Sequence, residues 1–92
     1  MIHTFSCQET ESLFYSRASK RFKSIERVAR RKLLQLHATM DLLNLRIPPG
    51  NQLELLKGDR KGRYSIRINQ QWRLCFIWKE DGAYEVEIVD YH

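Results

Sequence analysis

The stretch 63-RYSIRINQQWRLCFIWKEDGAYEVEIVDYH-92 decides the fold. Tyr64, Ile66 and Ile68 alternate with Arg63, Ser65 and Arg67. Trp72, Leu74, Phe76 and Trp78 alternate with Arg73, Cys75 and Ile77. Val86 and Ile88 alternate with Glu85, Glu87 and Val89. Apolar residues at every second position mark strands with one buried face. Asn69-Gln70-Gln71 turns the chain between the first two runs, and Asp81-Gly82 is a strong hairpin signal between the next two. Consecutive strands with short turns make an antiparallel sheet.

Upstream, Asn51–Leu56 reads as another short strand, joined by the Gly-rich, charged turn Lys57–Gly62. Before it lies a helical pattern. Ser24 is the expected N-cap. Ile25, Ala29, Leu33, Leu36, Met40 and Leu43 form one apolar stripe, and Ile47-Pro48-Pro49-Gly50 is expected to end the helix. The other face carries Arg27, Arg30, Arg31 and Lys32, expected to be solvated or to meet an acidic surface. Cys7–Ser16 reads as a first helix with acids near its start, Arg17–Ser24 as a basic connector, and Met1–Ser6 as a first strand. The expected architecture is α+β. Residues 1–92 form a single domain ordered β-α-α-β-β-β-β, with a small antiparallel sheet and both N-terminal helices on one face. The other face is left available for a ligand.

At 92 residues the chain has room for a small core, and its composition is that of a globular protein. No apolar run is long enough to span a membrane and the N-terminus has no secretory pattern, so a cytoplasmic location is expected. Cys7 and Cys75 lack metal-ligand spacing and read as small hydrophobes. His3 and His37 have no motif neighbours, and no P-loop, HExxH or zinc pattern occurs. Neither a metal nor a nucleotide cofactor is indicated. The net charge of +5 suggests a polyanionic partner.

Periodicity also places that charge. If the Ile and Leu rows pack on the helices, Arg63, Arg67 and Arg73 share the opposite face, with Lys57 and Arg60 on the adjoining turn. Such a cluster suits phosphate oxygens, and guanidinium planes can stack on bases. Two plainer readings remain: solvated arginines that keep the sheet soluble, and cross-strand pairs with Glu85 and Glu87.

The combination LLKGDRKGRYSIRINQQWRLCFIW…VEIVDYH resembles the RelE superfamily of bacterial toxins, and most closely the HigB type. There L-K-G-x-R-x-G, S-I-R-x-x-x-x-W-R and a terminal D-Y-H recur in this order. The resemblance implies a microbial-ribonuclease-like fold. It also implies a ribosome-dependent endonuclease that cuts mRNA in the A site of the 70S ribosome by metal-independent attack of the ribose 2′-hydroxyl. Its partner would be a cognate helix-turn-helix, HigA-like antitoxin, with the toxin monomeric when free and hetero-oligomeric when bound. Under this reading Lys57 and Arg73 stabilise the phosphate, and Arg60, Arg63 and Arg67 position the RNA. His92 serves as acid or base, Tyr91 stacks on or orients the nucleotide, and Asp90 orients His92 or shares in proton transfer. Some members of the HigB type carry a histidine three positions before the lysine; here that residue is Glu54. The alternative is a non-catalytic basic module that binds RNA or the ribosome and blocks translation.

Overall fold

In a computed structural model, which describes residues 1–57 and 62–90, a β-meander is packed against the helices. Its strands are β1 (Glu54–Leu55), β2 (Arg63–Arg67), β3 (Trp72–Lys79) and β4 (Gly82–Asp90), all antiparallel and in sequential order across the sheet. The registers place Ile66 opposite Leu74 and Leu74 opposite Ile88. These residues, with Phe76 and Val86, face α1 (Gln8–Phe14) and α2 (Glu26–Ala38) in one core with Leu13, Phe22, Ala29, Leu33 and Leu36. The strands are therefore where alternation puts them, and the fold is α+β as expected.

The N-terminal segment pairs with β4, in parallel, at Ile2–Ala83 and Phe5–Val86. It does not form a regular strand, because β4 bulges. The register against β3 shifts between Cys75 and Ile77, and Glu85 sits at φ +50. Glu85 N–H is instead satisfied by Thr4 Oγ1 at 2.8 Å, and Val86 N–H by Thr4 O at 3.0 Å. Gly82, at φ +135, permits this pairing, since a Cβ there would collide with the Met1 carbonyl. Thr10 then docks α1 onto the sheet: it is fully buried, and its hydroxyl accepts Ile88 N–H at 3.0 Å.

The long helix is shorter than its stripe suggests. Ser24 lies inside a 3₁₀ turn, Lys23–Ile25, and Ile25 precedes α2 without a side-chain cap. At the other end α2 stops at Ala38, well before Pro48. Thr39 turns extended and donates its hydroxyl to Gln35 O at 2.7 Å, and Asp41 caps a following 3₁₀ turn, Leu42–Arg46, by accepting Leu43 N–H at 3.0 Å. Met40 is thus 91% exposed and Leu43 is also exposed, while Leu45 is fully buried in their place. Burying Leu45 is worth about 1.5–3 kcal/mol, and it adds to the local bonds of Thr39 and Asp41 that favour the turn. Of the stretch Asn51–Leu56, only Glu54–Leu55 is strand; Pro49–Asn51 forms another 3₁₀ turn, and Gln52 caps it in the left-handed region. Among the described residues, no helix is long and apolar enough to cross a membrane.

Candidate active site

Arg67 and Arg73 stand directly opposite each other on β2 and β3, in the row that faces away from Ile66 and Leu74. Arg63 and Ser65 share that row on β2, and Cys75 and Ile77 on β3. The expected convergence of Arg63, Arg67 and Arg73 is thus met. The expectation that the row is uncovered is not: Ser65 and Cys75 are buried, and Arg73 is only 5% exposed.

The burial of Arg73 has a local cause. Its Nε donates to Ser65 Oγ at 2.8 Å, and Nη2 donates to Gln52 O at 2.6 Å and more weakly to Ser65 O at 3.4 Å. Glu54, opposite Ser65 on the edge strand, brings its carboxylate to 3.9 Å from Nη2. Like charges directly across two strands repel. The bonds draw the Arg73 fork towards β1, and Glu54 offsets part of its charge. Gln52 supplies its carbonyl from a backbone at φ +46, ψ +59, a region that costs a non-glycine residue roughly 1–2 kcal/mol.

The other cations differ in how they are held. Arg63 donates Nη2 to Glu85 Oε1 at 3.1 Å, the cross-strand pairing that its sequence position allowed. Its Nη1 is buried without a hydrogen-bond partner among the described residues. Arg67 is half-buried and makes no hydrogen bond or ion pair among the described residues. Lys57 is exposed, just beyond the Leu56 N–H to Arg63 O bond that closes β1 against β2. Asp90 lies opposite Trp72, so alternation sets it on the row of Trp72 and Leu74 rather than that of Arg73, and it accepts Gln71 Nε2 at 3.1 Å. Arg60, Tyr91 and His92 lie outside the described residues.

Several polar groups that lie off that row have structural work. His37 Nδ1 accepts Ile2 N–H at 3.1 Å. His3 stacks on Tyr84 with ring centroids 4.8 Å apart. Tyr84 O–H donates to Asp81 Oδ2 at 2.6 Å, which holds the Asp81 carboxyl below its ordinary range and pushes the Tyr84 phenol up. On α2, Arg30 and Lys32 are not the solvated residues expected. Arg30 Nε donates to Leu13 O at 2.9 Å and its Nη2 to Glu26 at 3.2 Å. Lys32 donates to Asn51 Oδ1, and desolvation, with Arg31 nearby, lowers its pKa. Arg27 and Arg31 are exposed as expected. Among the described residues, no group of three or more His, Cys, Asp or Glu side chains is placed to hold a metal ion.

Sequence reasoning missed Ser65, Gln52 and Asn51, the groups that hold Arg73 or its loop. Ser65 carried a signal, since alternation puts it on the Arg73 row. The loop residues carried none, because their part depends on a turn that periodicity does not reveal.

A helix-backed antiparallel sheet that gathers arginines on its far face defines a class of small α+β proteins suited to anionic ligands. The family model for the RelE-like toxin of the type II toxin-antitoxin system HigB matches residues 8–92, and the chain belongs to this HigB-like toxin family. It is 53% identical over 60 residues to Toxin HigB-1 of Vibrio cholerae, a match covering 65% of this chain and 63% of that protein. It is 42% identical over 41 residues to Endoribonuclease HigB of Proteus vulgaris, covering 45% of each. The matched stretches thus span less than two thirds of these curated relatives. YoeB in its complex with YefM from Staphylococcus aureus is 25% identical, with a TM-score of 0.58 over 100% of this chain and 95% of that one. YafQ from E. coli shares the fold at a TM-score of 0.64 and 15% identity, over 98% and 91% of the respective chains.

Proposed function

We propose that this protein is an endoribonuclease toxin that cuts mRNA in the ribosomal A site and is restrained by a cognate helix-turn-helix antitoxin of the HigA type. One observation carries the reading: a buried Arg73 guanidinium, oriented by Ser65 and Gln52, lies directly across from Arg67. Glu54, 3.9 Å from Arg73, offsets only part of the positive charge of this pair, and a phosphodiester is an anion that complements the rest. The names of the Vibrio and Proteus relatives, a toxin and an endoribonuclease, point the same way.

The chemistry needs no metal. The ribose 2′-oxygen attacks the adjacent phosphorus while a base removes its proton. The bond from phosphorus to the 5′-oxygen breaks, and an acid protonates that oxygen. The products are a 2′,3′-cyclic phosphate and a 5′-hydroxyl. Arg73 and Lys57 stabilise the charge that develops on the phosphoryl oxygens. Arg60, Arg63 and Arg67 hold the RNA backbone. His92, whose unperturbed pKa is near neutrality, acts as acid or base, with Tyr91 and Asp90 as its neighbours in sequence. Glu54 serves as counter-ion to Arg73 until RNA arrives.

The test is primer extension on a defined message in a purified translation system, with and without the protein. New 5′ ends at A-site codons are expected. Translation arrest with an intact message would replace the nuclease by a non-catalytic RNA- or ribosome-binding module.

A further inference from the structure

The carbonyl that clamps Arg73 belongs to a loop with its own anchor. Asn51 is fully buried. Its amide nitrogen donates to Leu45 O at 3.1 Å, Gln35 Oε1 at 3.1 Å and Ile47 O at 3.3 Å, and its oxygen accepts from Lys32. One side chain therefore ties the 3₁₀ turns on either side of Pro48 to α2. Gln52 follows immediately. Its N–H bonds Pro49 O at 3.1 Å, and its left-handed backbone turns its carbonyl onto Arg73 Nη2. A left-handed glutamine is unfavourable by itself and persists where its surroundings over-determine it. Asn51 and Lys32 provide those surroundings.

The geometry points to Asn51, held by Lys32, as a positioning residue that sets the Arg73 guanidinium through the Gln52 carbonyl. Their effect passes along a chain of contacts: α2, Asn51, Gln52, Arg73. A guanidinium that must meet developing phosphoryl charge is sensitive to displacement, since a misplacement of about 1 Å can cost roughly a hundredfold in rate. The inference rests on the reading of Arg73 as the cation that stabilises the phosphate.

The experiment follows the Arg73 Nη2–H signals, from the group that donates to Gln52 O, by ¹⁵N NMR and the cleavage rate in parallel. The variants are Asn51→Ala and Lys32→Met; the second removes a donor, keeps the aliphatic stem and leaves Asn51 in place, so it remains informative if the first unfolds. Exchange of the Arg73 Nη2–H should accelerate at least about tenfold in folded Asn51→Ala, as expected when a locally protected bond opens more often. It should accelerate by a smaller factor in Lys32→Met. The Asn51→Ala rate should fall about tenfold with unchanged KM, yet by less than about twofold when introduced into an Arg73→Lys protein, because coupled residues are not additive. Unchanged Arg73 exchange in the folded variants overturns the inference, whatever Arg73 does in cleavage. Equal rate losses in both backgrounds also overturn it, leaving Asn51 as a general fold residue. Faster exchange in a protein whose cleavage does not depend on Arg73 would uphold the tether and refute the reading of Arg73.

Discussion

Two sets of cations, one on α2 and one on the strands, look alike in sequence and do different things. On α2, Arg30 and Lys32 turn inward and donate to Leu13 O and Asn51, so they fasten neighbouring segments, while Arg27 and Arg31 remain exposed. On the sheet, Arg63, Arg67 and Arg73 share one row, and the protein fixes Arg73 with hydrogen bonds while leaving it directly across from another arginine. The helix cations relieve unsatisfied acceptors. The sheet cations leave a concentration of positive charge. A basic residue is informative about function where its neighbours orient it while offsetting only part of its charge, and informative about stability where it completes someone else's hydrogen bond.

The comparison breaks most sharply at Arg73. Arg73→Ala should lower cleavage by a factor corresponding to about 2–4 kcal/mol of barrier, the usual effect of removing a donor from developing charge. The check is single-turnover cleavage on programmed ribosomes, and wild-type rates in a folded variant would end the assignment. Deleting Tyr91 and His92 should cost roughly a hundredfold in rate, the typical contribution of a positioned acid or base. The fold should survive, because the buried anchors of β4 are Val86 and Ile88, both upstream. Thermal unfolding beside cut-site mapping separates the two effects.

Arg30→Ala should act the other way round. Leaving Leu13 O without its donor should destabilise the fold by about 1–3 kcal/mol, read as a fall in Tm, with cleavage by the folded protein unaffected. A lost cleavage rate at unchanged Tm would move Arg30 into the functional set. Glu54→Gln should have a smaller effect. Removing a half-exposed counter-ion from Arg73 should tighten RNA binding by about 0.2–1 kcal/mol, measured as a lower KM. A hundredfold loss in kcat would instead make Glu54 the base. Arg27→Ala and Arg31→Ala should change Tm and rate least, within about 0.5 kcal/mol.

The strands were legible because a period of two leaves little freedom once one face is buried: Ile66, Leu74 and Ile88 had to share a side, and Arg67 and Arg73 had to share the other. The ends of α2 were not. Met40 and Leu43 fit the helical stripe, but Thr39 and Asp41 offer the backbone local bonds that a stripe cannot represent, and Leu45 fills the core instead. Asp41 before an apolar run was the available signal. The site was legible as a row of residues and illegible as a set of contacts. Alternation says that Arg73 points away from the helices. It does not say that Gln52, from a turn after two prolines, reaches across to bury it. Asp90 shows the same limit: adjacent to Tyr91 and His92 in sequence, it belongs by register to the row of Trp72.

If the arginine row of the sheet serves attack by a ribose 2′-hydroxyl, the ends of a cut message carry that signature. The most direct test is to identify the chemical ends of a message cut on programmed ribosomes by the wild-type protein and by Arg73→Ala. The wild type should leave 2′,3′-cyclic phosphate and 5′-hydroxyl ends, with those cuts nearly absent from the variant. Wild-type cuts bearing 5′-phosphate ends, or equal cutting by a folded Arg73→Ala protein, would contradict that role of the row.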